Sequence, residues 1–522
     1  MEFKLDDCFK SFSKGQDKAR SPEDTVEHAM AALSKLETPV LKKVSRIDQF
    51  DRLKIPVFTC EVDERTAKKY NALKSSWGKG ADAILSKASA LMELVERYSC
   101  ISFIRDKNNY RLTSYNELKR GTMDSGGSVY PVYKDYSEDH VLADELKKVP
   151  MKWFESFSLT ENRAVTFPLE WFVEFHGSSG MCAGNTKEEA ILQGICELVE
   201  RHTISTVVDN ELSTPLIDIA SIDNPIAQGM IDSFHKAGIE LYIKDLSLGF
   251  GIPTIAVLAF DRDPAFSIVR VYCAAGTCLN RDAALARALT EVAQHRCQTL
   301  FLNRNANQVQ PHTACFPYYR NLREAKYLVD DSRVVKMSDL PTYQNDNFKE
   351  EVEMAVNDLA KKGFEVIITD TTDRMLKIPT YIITTPGTLC RETDDDPYLI
   401  VSKYYKKAEK YRKSVKMIER YVNVDPFILY TFDNEDIARQ AMVDLSYTRM
   451  REETGRPLST EALTFASYPE GEGKWNVLIS GSAFSYSMWK EAKESFGRLG
   501  GHHKGDMKPL KKNQVVISKH NR

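Results

Sequence analysis

SGMCAGNTKEEAILQGICELVER, Ser179 to Arg201, is a glycine-containing stretch that opens into a helical pattern ending Glu197-Leu198-Val199-Glu200-Arg201. The pattern occurs three times. Residues 86–98 read SKASALMELVERY and residues 284–296 read ALARALTEVAQHR. Each follows a run of small residues: Gly78-Lys79-Gly80, then Ala183-Gly184-Asn185-Thr186, then Ala274-Ala275-Gly276-Thr277. The anchor glutamates Glu93, Glu197 and Glu291 lie 104 and 94 residues apart (197 − 93 and 291 − 197). That period is too long for a solenoid and suits a repeated α/β unit. From glycine to anchor the steps are 13, 13 and 15 (93 − 80, 197 − 184, 291 − 276), so the third loop reads as slightly lengthened.

Working outward, β-rich runs separate the helices: Tyr242 to Asp245, Ile252 to Phe260 and Ser267 to Ala274. GFEVIITDTTD (363–373) and IPTYIITTPG (378–387) carry the alternation to about residue 400, where Asp394-Asp395-Asp396-Pro397 marks a break. The predicted fold class is therefore α/β (α+β), with three pseudo-repeated loop-helix units in a catalytic domain over 1–400. Residues 401–425, rich in lysine and arginine from Lys403 to Arg420, predict a basic connecting helix. Residues 426–500 predict a small β-α-β-β-α domain, with strands at 427–432, near 462–468 and at 474–480 and helices near 434–445 and 484–497. Residues 501–522 are basic and poor in apolar side chains, which predicts a flexible tail.

Composition removes several classes of function. With 42% apolar and 28% charged residues in 522, the chain is an ordinary globular protein, and a formal charge of −3 provides no whole-molecule field for nucleic acid or an anionic membrane. No run of about 18 uncharged apolar residues and no signal-peptide pattern occurs, so a cytoplasmic protein without membrane partners is expected. The ten cysteines include no C-x-x-C pair and read as buried thiols, except Cys182 and Cys273, which fall in glycine-containing loops. Neither H-E-x-x-H, nor a P-loop, nor a Rossmann glycine string is present.

On a helix Glu93 and Glu96, like Glu197 and Glu200, share a face with Arg97 and Arg201 beside them. Leu91, Met92 and Val95, and equally Ile195, Cys196 and Val199, fall on the opposite side. The third helix keeps Glu291 but carries Gln294 and His295 at the next offsets and Arg287 one turn earlier, which suggests a division of labour. Glu189, eight residues before Glu197, brings the candidate carboxylates to six. One E-x-x-E-R string is ordinary decoration of an exposed helix; three matched loop-helix copies, two of them carrying the string, are not. Converging carboxylates repel and resist desolvation unless cations neutralise them. Magnesium bridges carboxylates to phosphate oxygens, and arginines bind phosphate bidentately. A magnesium-nucleotide site follows.

These residues resemble the YcaO proteins, ATP-dependent enzymes that activate backbone amides of peptides and proteins. The resemblance spans roughly residues 10–400 and rests on Ser76 to Arg97, Ser179 to Arg201 and Arg287 to Gln294. It implies that Glu93, Glu96, Glu189, Glu197, Glu200 and Glu291 hold Mg2+ and ATP. Asn185 would contact the nucleotide, Arg201 and Arg287 the phosphates, with Lys79, Arg97 and Gln294 beside them. Lys18 and Thr25 of KARSPEDT look like the family's N-terminal clamp, although Thr25 also reads as a helix cap. Glu197, Glu200, Glu291 and Arg287 form the implied catalytic set.

The resemblance also implies a reaction: a nucleophile adds to a peptide carbonyl, ATP phosphorylates the oxyanion, and phosphate leaves. Azoline-forming members use a substrate side chain and usually end in P-x-P-x-P; after residue 400 the prolines here are Pro426, Pro457, Pro469 and Pro509. An external nucleophile is therefore favoured. KARSPEDT and RIDQFDRLKIPVF (46–58) look like the thioamidating branch seen around methanogen methyl-coenzyme M reductase. A peptide or protein substrate is implied, with a separate protein to deliver sulfur or dock the substrate. A homodimer is the ordinary expectation for a large enzyme. The alternatives are an azoline-forming cyclodehydratase and a non-catalytic nucleotide-binding scaffold; nucleic-acid binding through 403–420 and the tail is the least favoured.

Overall fold

The computed structural model describes residues 3–13, 16–70, 73–121, 128–129, 150–305 and 315–390, together with strands at 427–432, 464–471, 474–480 and 502–506. The chain divides into two units, one of residues 1–112, 118–131 and 152–392, the other of 113–117, 132–151 and 393–522.

The first unit holds three sheets, and each places its repeat strand at an edge. Ser75–Lys79 ends a three-stranded sheet after Leu41–Arg46 and Val57–Val62. Met181–Ala183 ends a seven-stranded sheet beside Thr380–Thr384, and Val271–Thr277 begins a five-stranded sheet beside Thr254–Asp261. Each edge strand leads into its long helix: Ala83–Arg105, Lys187–Asp209 and Arg281–Asn305, called here the first, second and third helices. Of the small-residue runs expected as loops, 274–277 is strand throughout and Gly78-Lys79 ends one, whereas Gly184-Asn185-Thr186 is a loop as expected. Small side chains there let a strand lie close beneath its own helix.

The three units share one register. Every repeat strand ends 14 residues before its anchor glutamate (93 − 79, 197 − 183, 291 − 277) and every helix begins 10 before it (93 − 83, 197 − 187, 291 − 281). A capping side chain stands 11 residues before each anchor. Asp82 accepts from Leu85 N, Thr186 from Glu189 N, and Asn280 from Asp282 N and Ala283 N, satisfying amides that a helix start leaves open. The expected lengthening of the third copy is therefore corrected. Gly276 corresponds to Gly78, both 15 residues before their anchors, and a methyl group at either would strike helix backbone, at 2.4 Å from Ala284 O or 2.1 Å from Ser86 O.

Each helix buries its apolar side in the core of its own sheet. Leu91, Leu94 and Val95 pack with Cys60 and Val62; Ile191, Ile195 and Val199 with Ile367, Ile382 and Ile383; Leu285, Leu289 and Val292 with Ile255, Val257 and Ala259. Each such side chain contributes roughly 1.5–3 kcal/mol. The helices also pack around in turn: the first against Met181–Ala183, the second against Val271–Thr277, the third against Ser75–Lys79. Three units thereby close a ring, with their acidic faces turned inward.

Cys182 and Cys273 are buried strand residues, 0% and 2% exposed, whose thiols burial pushes up, so neither is a reactive loop cysteine. No described helix is long and apolar enough to cross a membrane.

The second unit contains a four-stranded antiparallel sheet ordered Thr464–Gly471, Lys474–Ser480, Phe427–Phe432, His502–Asp506. This is the strand order of a ferredoxin-like unit. Its fourth strand falls at the start of the expected tail, a correction with a simple reason: an edge strand needs backbone hydrogen bonds, which HHKGD can make without apolar side chains. The predicted helices near 434–445 and 484–497, the connecting helix 401–425 and residues 507–522 lie outside the described residues.

Candidate active site

The ring encloses a cavity of about 470 Å³. Every residue singled out from sequence lines it: Lys18, Thr25, Lys79, Glu93, Glu96, Arg97, Asn185, Glu189, Glu197, Glu200, Arg201, Arg287, Glu291 and Gln294. Six carboxylates thus face five basic side chains.

At one end the N-terminal segment meets the start of the second helix. Lys18 Nζ lies 3.1 Å from Glu189 Oε1, and Ala19 N donates to Glu189 Oε2 at 3.0 Å. Asn185 Nδ2 donates to the same carboxylate at 3.1 Å, while its Oδ1 lies 3.0 Å from the Thr25 hydroxyl. Thr25 is not the cap of Pro22–Leu33; Ser21 is, accepting from Asp24 N. Thr25 sits one turn in, 4% exposed, which frees its hydroxyl to face the cavity.

In the middle, a basic residue four places past each anchor reaches the acids of its own helix. Arg97 Nε is 3.4 Å from Glu96 and 3.9 Å from Glu93; Arg201 is 3.2 Å from Glu200 and 3.3 Å from Glu197. In the third helix His295 Nε2 lies 3.2 Å from Glu291, which also contacts Lys79 Nζ. Trp77 N donates to Glu93 at 3.4 Å and Gly180 N to Glu197 at 3.3 Å. Burial pushes Glu93 up and Glu96 well up, with Arg97 opposing. Lys79 is pushed down to about 7 by burial and then by the Arg287 guanidinium. The site thus holds its charges at an electrostatic cost.

No three His, Cys, Asp or Glu side chains form a ready metal cage among the described residues. That is compatible with magnesium, which takes one or two carboxylates and completes its shell with water and phosphate oxygens. The donor set is hard oxygen throughout, and the buried Arg287 Nε has no hydrogen-bond partner, as suits a group awaiting an anion. The residues therefore fit a magnesium nucleotide.

Sequence reasoning missed several cavity residues, notably Trp77, Ser89, Gln193 and Gln298, and it put Met92 opposite the acids although Met92 lines the cavity beside them. Gln193 Oε1 accepts from Arg287 Nη1 at 2.8 Å. A signal was available for two of them: Ser89 and Gln193 occupy the offset that Arg287 occupies in the third helix, four before the anchor. Gln298, seven past its anchor, had no charged counterpart to draw attention to it.

The family profile described as YcaO cyclodehydratase, ATP- and Mg2+-binding, matches residues 77–389. The chain belongs to the YcaO family. A protein of uncharacterised role from Methanothermobacter thermautotrophicus is 26% identical over 68% of this chain and 91% of its own length. The ribosomal protein S12 methylthiotransferase accessory factor YcaO of Escherichia coli is 26% identical over 42% of this chain and 40% of its own. Among solved structures, YcaO from Methanopyrus kandleri bound with AMPPCP and Mg2+ superposes with a TM-score of 0.55 at 18% identity, covering 73% of this chain and 95% of that one. A heterocyclase in complex with substrate and cofactor superposes at 0.59 with 23% identity, covering 75% of this chain and 55% of the heterocyclase. At these identities the superpositions establish the fold. ATP and Mg2+ are the cofactors of the family.

Proposed function

We propose that this protein uses ATP and Mg2+ to phosphorylate a backbone amide of a peptide or protein for attack by an external nucleophile, sulfide, leaving a thioamide. The observation that carries the reading is the convergence of six carboxylates and five basic side chains from three helices, the strand Ser75–Lys79 and the N-terminal segment on one cavity.

Lys18, Thr25 and Asn185 would seat the nucleotide at the Glu189 end. Glu93, Glu96, Glu189, Glu197, Glu200 and Glu291 would supply the one or two carboxylates that each magnesium ion takes, and the metal's part is to neutralise phosphate charge. Arg201 and Arg287 would bind the phosphates, helped by Arg97 and Lys79. Hydrosulfide adds to the amide carbon; the carbonyl oxygen, now an oxyanion, attacks the γ-phosphorus and ADP departs. The adduct then collapses, expelling the amide oxygen within inorganic phosphate together with the proton that came with sulfur, and C=S remains. Support for sulfide comes from the resemblance of residues 18–25 and 46–58 to the thioamidating branch. A separate protein would deliver the sulfur or dock the substrate.

The test begins with calorimetry of ATP and Mg2+ on wild type, Glu197→Gln and Glu200→Gln. Binding that either variant weakens at least ~tenfold is expected; wild type that ignores the nucleotide ends the reading. Peptide libraries incubated with ATP, Mg2+ and sulfide should then gain sulfur in exchange for oxygen. Loss of one water instead would indicate azoline formation, and bound ATP without turnover a scaffold.

A further inference from the structure

Gln294 and Gln298 stand three and seven residues past Glu291, one turn apart on the same face of the third helix, and both line the cavity. They are 8% and 7% exposed, and among the described residues neither side-chain amide has a hydrogen-bond partner. Two cavity-lining amides that no protein group holds leave their donors and acceptors to whatever fills the cavity, which points to a ligand. Only the third helix extends the lining so far past its anchor: the equivalents of Gln298 are Cys100 and Ile204, both fully buried in the protein core.

Their position along the ring gives the ligand's chemistry, and this step rests on the nucleotide reading above. The helices start in one register from matching edge strands, and the 2.8 Å bond between Arg287 and Gln193, both four before their anchors, sets the second and third level at that point. Lys18, Thr25 and Asn185 gather at Glu189, eight before the second anchor, so Gln298 lies at the opposite end with acids and arginines between. A phosphoryl acceptor sits in line with the transferred group, on the side away from the leaving diphosphate.

We propose that Gln294 and Gln298 hold the substrate's backbone amide at this end of the cavity. A secondary amide has one N–H to give and one carbonyl to satisfy, and a glutamine side chain offers the complement of each. A carboxylate at the Gln294 offset, as in the other two helices, could only accept and would repel the oxyanion that takes the phosphoryl group. Gln294 thereby belongs with the substrate rather than with the nucleotide residues among which its sequence motif placed it.

The probe is N-methylacetamide, the simplest trans peptide group, added to the full chain with Mg2+ and a non-hydrolysable ATP analogue and followed by saturation-transfer NMR. Wild type should transfer saturation to the amide. Gln298→Leu and the nearly isosteric Gln298→Met should cut that transfer roughly five- to tenfold while calorimetric affinity for the analogue holds. No transfer in wild type, equal transfer in both folded variants, or a matching loss of analogue affinity would each overturn the assignment. Failure of wild type to bind the analogue would instead remove the nucleotide reading, and the amide measurement made without nucleotide would still decide this one.

Discussion

The second and third helices occupy equivalent places in the ring and present different chemistry there. Three past the anchor stands Glu200 in one and Gln294 in the other; four past, Arg201 and His295; four before, Gln193 and Arg287. Their backs, by contrast, follow one construction. The strand residue 15 before the anchor packs on the helix residue three before it in all three units: Gly78 on Ala90, Cys182 on Gly194, Gly276 on Ala288. In the second unit the small residue has moved from strand to helix. The pair must stay small in total, because strand and helix approach closely, but either partner can supply the space. Inward-facing positions bear no such packing constraint, so their chemistry is free to diverge while the scaffold stays in register.

The harshest way to break this comparison is Gly276→Val. The new Cβ would lie 2.4 Å from Ala284 O and 2.5 Å from Ala288 N, both backbone atoms that cannot turn aside, so no cooperatively melting protein should be recovered. Gly194→Ala meets side chains instead, Ile383 at 2.4 Å and Cys182 Sγ at 2.9 Å. It should fold with a loss of about 1–3 kcal/mol in denaturant unfolding. Adding Cys182→Gly recreates the glycine-alanine pairing of the first unit and should recover most of that loss in a double-mutant cycle; strict additivity would refute the exchange.

A smaller effect separates function from stability. Burial holds the Glu96 carboxyl well above its ordinary 4.5, so the folded state disfavours the charged form. The neutral acid costs nothing extra below about 4.5, and stability is lost as pH rises through the elevated folded-state value. Glu96→Gln, which imitates the neutral acid, should melt with wild type below about 4.5 and above it at neutral pH, while binding the magnesium nucleotide less well. A variant that melts lower at neutral pH would show that the pairing with Arg97 outweighs desolvation.

The mildest test concerns the caps. Thr186→Ala and Asn280→Ala should each cost about 1 kcal/mol and add independently. If the second and third units are as alike in scaffold as their register indicates, urea unfolding should give similar losses for the two; a loss confined to one would mark its helix start as held by other contacts.

Much of the inward face was legible in the chain. The acids and arginines recur at helical spacing because they must share a face, and spacing along one helix is a local property. The amide residues that complete the lining were harder to see. Gln298 has no charged equivalent, and Gln193 acts through Arg287 on another helix, a contact that no periodicity encodes. The strand at 502–506 was overlooked because polar composition says little about backbone pairing at a sheet edge.

By itself the sequence determined three helices in one register, their acidic faces, and an α/β setting for them, because these depend on side-chain periodicity and local turn chemistry. Only the tertiary structure decided that the repeat strands edge three different sheets, that each helix packs on the next unit's strand to close a ring, and that Lys18 and Ala19 reach across to Glu189. Those are contacts between residues up to hundreds of positions apart. They are settled by which apolar surfaces can be buried together, a question that the chain answers only when all of it is folded.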